Sequence, residues 1–302
     1  MISITDLTKK FGDTVAVKNL SLDVQRGELI GLIGPDGAGK TTTMRVVSTA
    51  MNPTSGHVTV GGIDTMRDPE AVKKLIGYMP QRFALYPDLT VLENLNFFAD
   101  LFGSPREQRT ELINRLLGFA RLTEFQTRLA RNLSGGMQKK LALASTLMHR
   151  PQVLLLDEPT TGVDPVSRRE FWDLLTQVHL DHVTIVICTP YLDEAERCTR
   201  VGLMYRGELI AHDDPRKLRD NIGVKIFEAQ SQQALQARQS IESSAGVLTV
   251  STHGDTIRLI VDHSDRMATI EATWANSGII VENLHQVQPR LEDAFVLMLS
   301  KK

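Results

Sequence analysis

Gly34-Pro35-Asp36-Gly37-Ala38-Gly39-Lys40-Thr41-Thr42 is a glycine-rich loop set between a strand and a helix. The apolar run Leu29-Ile30-Gly31-Leu32-Ile33 before it reads as a buried strand, and after it Met44, Val47 and Met51 fall on one helical face. Gly34, Gly39, Lys40 and Thr41 have the spacing of a phosphate-binding loop in the right context. Its glycines keep side chains clear, so consecutive backbone N–H groups can point at phosphate oxygens. The helix N-terminus adds partial positive charge. Lys40 is placed to bridge β- and γ-phosphates and the Thr41 hydroxyl to hold Mg²⁺, with Pro35, Asp36, Gly37, Ala38 and Thr42 completing the cradle. The implied ligand is a nucleoside triphosphate.

A second aliphatic run, Val153–Leu156, ends in Asp157-Glu158-Pro159. Two carboxylates closing a strand are a solvated turn in most proteins. Beside a phosphate loop, the first acid reaches the bound Mg²⁺, and the second can polarise a water aimed at the γ-phosphorus.

At 302 residues the chain has room for two domains. A formal charge of −2 with mixed signs gives no reason to expect nucleic acid or an anionic membrane surface as partner. No apolar run approaches the roughly 20 residues that cross a bilayer. The opening MISITDLTKKFGD has no signal-peptide core. Cys188 and Cys198 match no metal spacing and read as reduced structural thiols. A cytoplasmic location is expected.

Residues 1–220 alternate short aliphatic runs with helical patterns. The expected strands are Ser3–Thr5, Val15–Ala16, Ser21–Val24, Glu28–Ile33, His57–Val60, Ile76–Met79, Val153–Leu156, Thr184–Cys188 and Arg200–Tyr205. From about 89 to 150 the chain lacks strand signals and reads as a helical insert. Phe171, Leu174, Leu175 and Val178 make a core-facing stripe on a helix near Val166–Leu180. Residues 221–302 change pattern. Strands at Lys225–Ala229, Val247–Ser251, Thr256–Val261 and Gly278–Val287 interleave with helices at Gln232–Ser243 and Asp265–Asn276, and a helix closes at Leu291–Leu299. That β-α-β-β-α-β order suggests a small α+β, ferredoxin-like domain. His253 and His263 beside its hairpin read as surface histidines.

Leu133-Ser134-Gly135-Gly136-Met137-Gln138 precedes Asp157. Ser134 can cap the following helix and the two glycines expose its first N–H groups, which makes a second phosphate-binding helix end. Alone it would be an ordinary N-cap. Together with the loop at Gly34 and the acids at Asp157, it resembles the signature LSGGQ of ABC-transporter ATPases, with Met137 in place of the glutamine. P-loop kinases and small GTPases have no use for this element.

The resemblance covers nearly the whole chain. It implies an α/β P-loop NTPase fold with an ABC-type helical subdomain, binding ATP with Mg²⁺. It puts Phe11 on the adenine, although a strand-end core residue is an equal reading. It makes Gln81, in Gly77-Tyr78-Met79-Pro80-Gln81, the residue that touches Mg²⁺ and water and signals to the membrane partner. Ser134, Gly135 and Gly136 would reach the ATP of an opposing subunit, and Asp164 would cross to that subunit. The stretch Pro289-Arg290-Leu291-Glu292-Asp293-Ala294-Phe295 is similar to the closing motif of the accessory domain of ABC-type export ATPases. The implied function is therefore an ATP-hydrolysing subunit that powers an exporter from the inner face of the cell membrane, with separate membrane-spanning subunits and a second ATPase. A soluble ABC protein acting on ribosomes or DNA would need a second cassette and linker in one chain, or long coiled-coil insertions; neither is visible.

Two positions depart from the family. Asp36 stands where asparagine is usual, and its side chain can point outward and cap the loop. Pro190, in Cys188-Thr189-Pro190-Tyr191-Leu192-Asp193-Glu194-Ala195, stands where a histidine contacts the γ-phosphate. The change implies slow hydrolysis at this chain's own site and favours pairing with a different ATPase. It also keeps open a nucleotide-dependent clamp. Tyr191 and Thr189 are the candidate replacement donors.

Overall fold

Leu29-Ile30-Gly31-Leu32-Ile33 and Val153-Leu154-Leu155-Leu156-Asp157 form strands in which every residue is buried. Strands covered on both faces read as unbroken aliphatic runs, the mark of a parallel sheet sandwiched by helices. A computed structural model describes residues 1–82 and 85–300. The chain divides into two compact units, Met1–His212 and a second beginning at Asp213.

In the first unit, β1 (Ile2–Phe11) and β2 (Thr14–Val24) pair antiparallel, and the central sheet starts at β3 (Leu29–Ile33). Strands β4 (Ser55–Val60) and β5 (Ile63–Asp64) complete a four-stranded sheet of order β2-β1-β4-β5. The central sheet adds β6 (Ile76–Met79), β7 (Val153–Asp157), β8 (Thr184–Thr189), β9 (Arg200–Tyr205) and β10 (Glu208–Asp213), in the order β10-β9-β3-β8-β7-β6. Strands β6, β7, β8, β3 and β9 run parallel. Helix α1 (Lys40–Val47) packs Met44, Val46 and Val47 into one core with Leu7, Leu20, Leu32, Leu155 and Val186.

After α2 (Pro69–Leu75), residues 89–150 fold as α3 (Val91–Leu101), α4 (Arg106–Phe119) and α5 (Gly135–Thr146) with two short 3-10 turns. Thr90 and Glu93 form a reciprocal capping box that starts α3. Leu95, Leu116, Leu117 and Leu141 share a core of their own here. Helices α6 (Pro165–Leu180) and α7 (Leu192–Ala195) complete the unit, and Phe171, Leu174, Leu175 and Val178 are buried on α6 as their spacing predicts.

The second unit contains α8 (Pro215–Asp220), β11 (Lys225–Gln230), α9 (Ala234–Ile241), β12 (Val247–His253), β13 (Thr256–Val261), α10 (Arg266–Asn276), β14 (Glu282–Val287) and α11 (Leu291–Ser300). Its sheet has the order β12-β13-β11-β14 with antiparallel neighbours, the arrangement of two interleaved split β-α-β units. Helix α8 packs against α11, so the division falls before that helix and not after it.

Several boundaries differ from the sequence reading, for local reasons. Val15–Ala16 and Ser21–Val24 belong to the single strand β2, which passes through Asn19 at φ 47° where the register with β1 shifts. Asparagine tolerates that left-handed backbone. Helix α1 stops at Val47, and Thr49 at φ 62° turns the chain before Met51. The expected strand from Gly278 begins only at Glu282, because Gly278 at φ +67° terminates α10.

Leu155 lies at the centre of β7 with no exposure. Leu155→Ala is expected to lower the unfolding free energy of its unit by about 2–5 kcal/mol in denaturant titration.

Candidate nucleotide site

The loop leaves β3 at Gly34, where an added Cβ would lie 2.2 Å from the Met204 carbonyl oxygen. At Gly39, φ +101°, a Cβ would lie 2.5 Å from the Ala16 carbonyl oxygen. Both positions exclude a side chain. Helix α1 begins at the next residue, so the N–H groups of its first turn have no intrahelical acceptor. Lys40 is only 4% exposed. Its Nζ donates to the carbonyl oxygens of Gly34 at 2.7 Å and Pro35 at 3.0 Å, and lies 3.9 Å from Glu158 Oε1. Pro35, Asp36 and Gly37 are exposed, Ala38 is buried, and Thr41 and Thr42 are half-buried.

Four strand ends meet around that loop. Register pairs Ile33 with Thr189, Asp157 with Cys188, and Met79 with Leu156. The C-terminal ends of β3, β8, β7 and β6 therefore lie abreast, the edge where open α/β sheets bind ligands. Thr41 Oγ1 donates to Asp157 Oδ1 at 3.0 Å, while the buried Asp157 Oδ2 has no hydrogen-bond partner. Burial pushes the Asp157 carboxyl above the usual carboxylate range, and the Thr41 hydrogen bond pulls the other way. Glu158 sits in left-handed backbone, φ 48°, with its N–H donating to the Cys188 carbonyl at 2.9 Å. Its Oε2 accepts from Gln81 Nε2 at 2.8 Å and Thr161 Oγ1 at 3.3 Å. A threonine hydroxyl, an unpartnered buried carboxylate oxygen and a glutamine amide are hard oxygen donors, and this set fits Mg²⁺.

The remaining sequence-predicted residues lie around this centre. Ser134 caps α5, accepting from Met137 N–H at 3.3 Å, and both Ser134 and Gly135 are exposed. Gly136 backs onto α6, where a Cβ would come within 2.4 Å of Ser167. Among the described residues, none of these three hydrogen-bonds the Gly34–Thr42 loop of the same chain. Asp164 caps α6 by accepting from the N–H groups of Val166 and Ser167. Phe11 is 49% exposed beneath the Lys9 ammonium, which rules out the core reading of that ring. Pro190 follows β8 half-buried. Thr189 is fully buried and its hydroxyl accepts from Tyr191 N–H at 3.1 Å, while the Tyr191 ring lies 4.3 Å from the Arg168 guanidinium.

Residues 17–161 match the family model described as ABC transporter. The chain is 33% identical to the Nod factor export ATP-binding protein I of Cupriavidus metallidurans, over 100% of this chain and 98% of that protein. It is 31% identical to the linearmycin resistance ATP-binding protein LnrL of Bacillus subtilis, over 98% and 97%. The chain belongs to the ABC transporter ATP-binding proteins. It is also 41% identical to the protein named "Probable multidrug ABC transporter ATP-binding protein YbhF" of Escherichia coli K12, over 99% of this chain but 52% of YbhF, so it spans about half the length of that relative. Among solved structures it is similar to a dimeric ATP-binding cassette in a post-hydrolysis state bound to ADP and Pi, with TM-score 0.65 and 29% identity over 71% of this chain and 98% of that one.

Within this ABC cassette, the fold gathers Lys40, Thr41, Gln81, Asp157 and Glu158 into one cluster and leaves Ser134, Gly135, Asp164 and Phe11 facing outward. The sequence reading missed Thr161, although it lies three residues after Glu158 in the same turn. It also missed Lys139, whose half-buried ammonium donates to the Gln81 carbonyl at 3.3 Å. Burial lowers the Lys139 pKa against the raising influence of Glu158 and Asp157. No sequence spacing signals that contact, which depends on α5 lying across the end of β6.

Lys40→Ala removes the cation that the loop carbonyls and Glu158 surround. Tight ATP binding is expected to be lost in equilibrium titration with a labelled ATP analogue; unchanged affinity would overturn the assignment of the loop.

Proposed function

We propose that this chain is the ATP-hydrolysing subunit of an ABC exporter. The observation that carries the reading is the convergence on Glu158, which lies within reach of Lys40, Gln81 and Thr161 beside the Thr41–Asp157 pair. Phosphates of ATP would lie along the first-turn N–H groups of α1, with Lys40 turned onto the β- and γ-phosphates. Mg²⁺ held by Thr41, Asp157 and Gln81 would neutralise phosphate charge. Glu158, oriented by Gln81, would accept the hydrogen bond of the attacking water and draw off its proton. Phe11 would stack on the adenine.

Ser134 and Gly135 offer a capped, exposed helix end, with Gly136 buried behind them, that complements a phosphate on another subunit. This supports a head-to-tail pair in which each cassette completes the other's site. Likeness to export ATP-binding proteins, and the packing of the closing motif, favour export. In that motif the Asp293 carboxylate accepts from Arg290 N–H at 2.6 Å and pairs with Arg258. The second unit would then be an accessory domain, and separate membrane-spanning subunits would supply the pathway. Among the described residues no helix is long and apolar enough to cross a membrane. In this reading the subunit sits at the cytoplasmic face, held there by its partners.

Pro190 favours an asymmetric pair. Proline has no side-chain donor and no backbone N–H to offer a γ-phosphate. The side chain of Thr189, the preceding residue, is fully enclosed. The chain's own site would then hold ATP more than it turns it over, a clamp within a heterodimer, while Ser134 serves a faster site on a different ATPase.

Ser134→Arg puts a bulky cation at the exposed helix end. ATP-analogue binding by the isolated chain is expected to stay near its unaltered value while ATP-dependent pairing, read by light scattering, is lost. Pro190→His is expected to raise single-turnover hydrolysis by roughly 10²–10³, the usual worth of one transition-state donor. Brisk turnover by the unaltered chain, abolished by Glu158→Gln, would refute the asymmetric assignment.

A further inference from the structure

Glu194, on α7, is a carboxylate with no exposure, and the mechanism above does not use it. Its Oε1 accepts from Thr160 Oγ1 at 2.6 Å, and its Oε2 has no hydrogen-bond partner. A buried carboxylate without a counter-charge is costly. The nearby cation is Arg168 on α6, whose Nε lies 3.7 Å from Glu194 Oε1 and whose Nη1 lies 3.7 Å from Asp193 Oδ2. The same guanidinium covers the Tyr191 ring at 4.3 Å, close enough for a cation–π contact. Arg168 is one turn into α6, its N–H bonded to the Asp164 carbonyl at 2.9 Å.

These contacts join three segments. Thr160 is two residues beyond Glu158, Tyr191 immediately follows Pro190, and Arg168 stands on the helix that Asp164 caps. We propose that Arg168 is a positioning residue for hydrolysis. By pairing with Glu194 and stacking on Tyr191, it holds the Glu158–Thr160 turn against the Pro190–Tyr191 segment and so fixes both relative to the γ-phosphate. Tyr191 then contributes its ring, as a surface for Arg168, and its hydroxyl is not the missing phosphate donor. The inference rests on the reading of Gly34–Thr42 and Glu158 as the ATP site.

The test uses the full chain, unaltered and as Pro190→His, each carrying Arg168→Met, Arg168→Lys, Tyr191→Ala or Tyr191→Phe. Affinity for a labelled ATP analogue is measured first, then single-turnover hydrolysis well below the melting temperature of each variant. Arg168→Met and Tyr191→Ala are expected to slow hydrolysis about ten- to a hundredfold in both backgrounds, as small misplacements of reacting groups do. Analogue affinity should hold within about twofold. Tyr191→Phe should restore what Tyr191→Ala loses, and Arg168→Lys should fall between, because an ammonium keeps the charge and loses the planar stack.

Rates unchanged in Arg168→Met and Tyr191→Ala would overturn the proposal. So would a Tyr191→Phe as slow as Tyr191→Ala, since the hydroxyl would then be the working group. Absence of turnover in both backgrounds overturns it as well. If Arg168→Met does not fold, the two Tyr191 variants decide. Failure of the unaltered chain to bind the analogue would instead overturn the ATP site itself.

Discussion

Parallel pairing of β6, β7, β8 and β3 is the constraint on which the rest of the first unit depends. Each strand delivers a different chemical group at its carboxyl end: Gln81 after β6, Asp157 at the end of β7 with Glu158 just after it, Pro190 after β8, and the glycine loop after β3. The register sets these ends abreast, pairing Ile33 with Thr189 and Asp157 with Cys188. A slip of one residue would turn every side chain of a strand to the other face. Uninterrupted burial of Leu29–Ile33 and Val153–Asp157 resists such a slip, because it would take well-packed aliphatic groups out of their places on both faces at once.

Charge is concentrated where the sheet ends. Lys40, Asp157 and Glu158 are all buried within a few residues of strand termini. Burying charged side chains is costly, and the structure answers with local partners: loop carbonyls on Lys40, the Thr41 hydroxyl on Asp157, and Gln81 and Thr161 on Glu158. Asp157 Oδ2 is left without one. One buried carboxylate oxygen without a partner is costly unless a ligand completes it, which is consistent with a site built around a polyanion and a hard cation.

Beyond that cluster the polar ties run along α6. One end of this helix is capped by Asp164, and one turn later Arg168 reaches the buried Glu194 and the Tyr191 ring. Thr160 bonds the same carboxylate. The turn carrying Glu158 and the segment carrying Pro190 thus share a buried polar hub in addition to their strand pairing.

Local signals in the sequence determined the glycine loop, the two acids after an aliphatic strand, the helix cap at Ser134, and the strand and helix order from β11 onward. Those features depend on neighbours a few residues apart, where steric limits, periodicity and capping chemistry act. Tertiary structure alone decided that Phe11 is exposed and not a core residue, because burial of a strand end depends on what packs across it. It likewise decided that the Thr189 hydroxyl is enclosed, that Lys139 meets the Gln81 backbone, and that Glu194 lies between Thr160 and Arg168. Those pairs are separated by tens of residues, and only sheet order and helix packing bring them together. A fully buried acid such as Glu194 has no sequence mark, since desolvation and its remedy are properties of the surroundings and not of the residue.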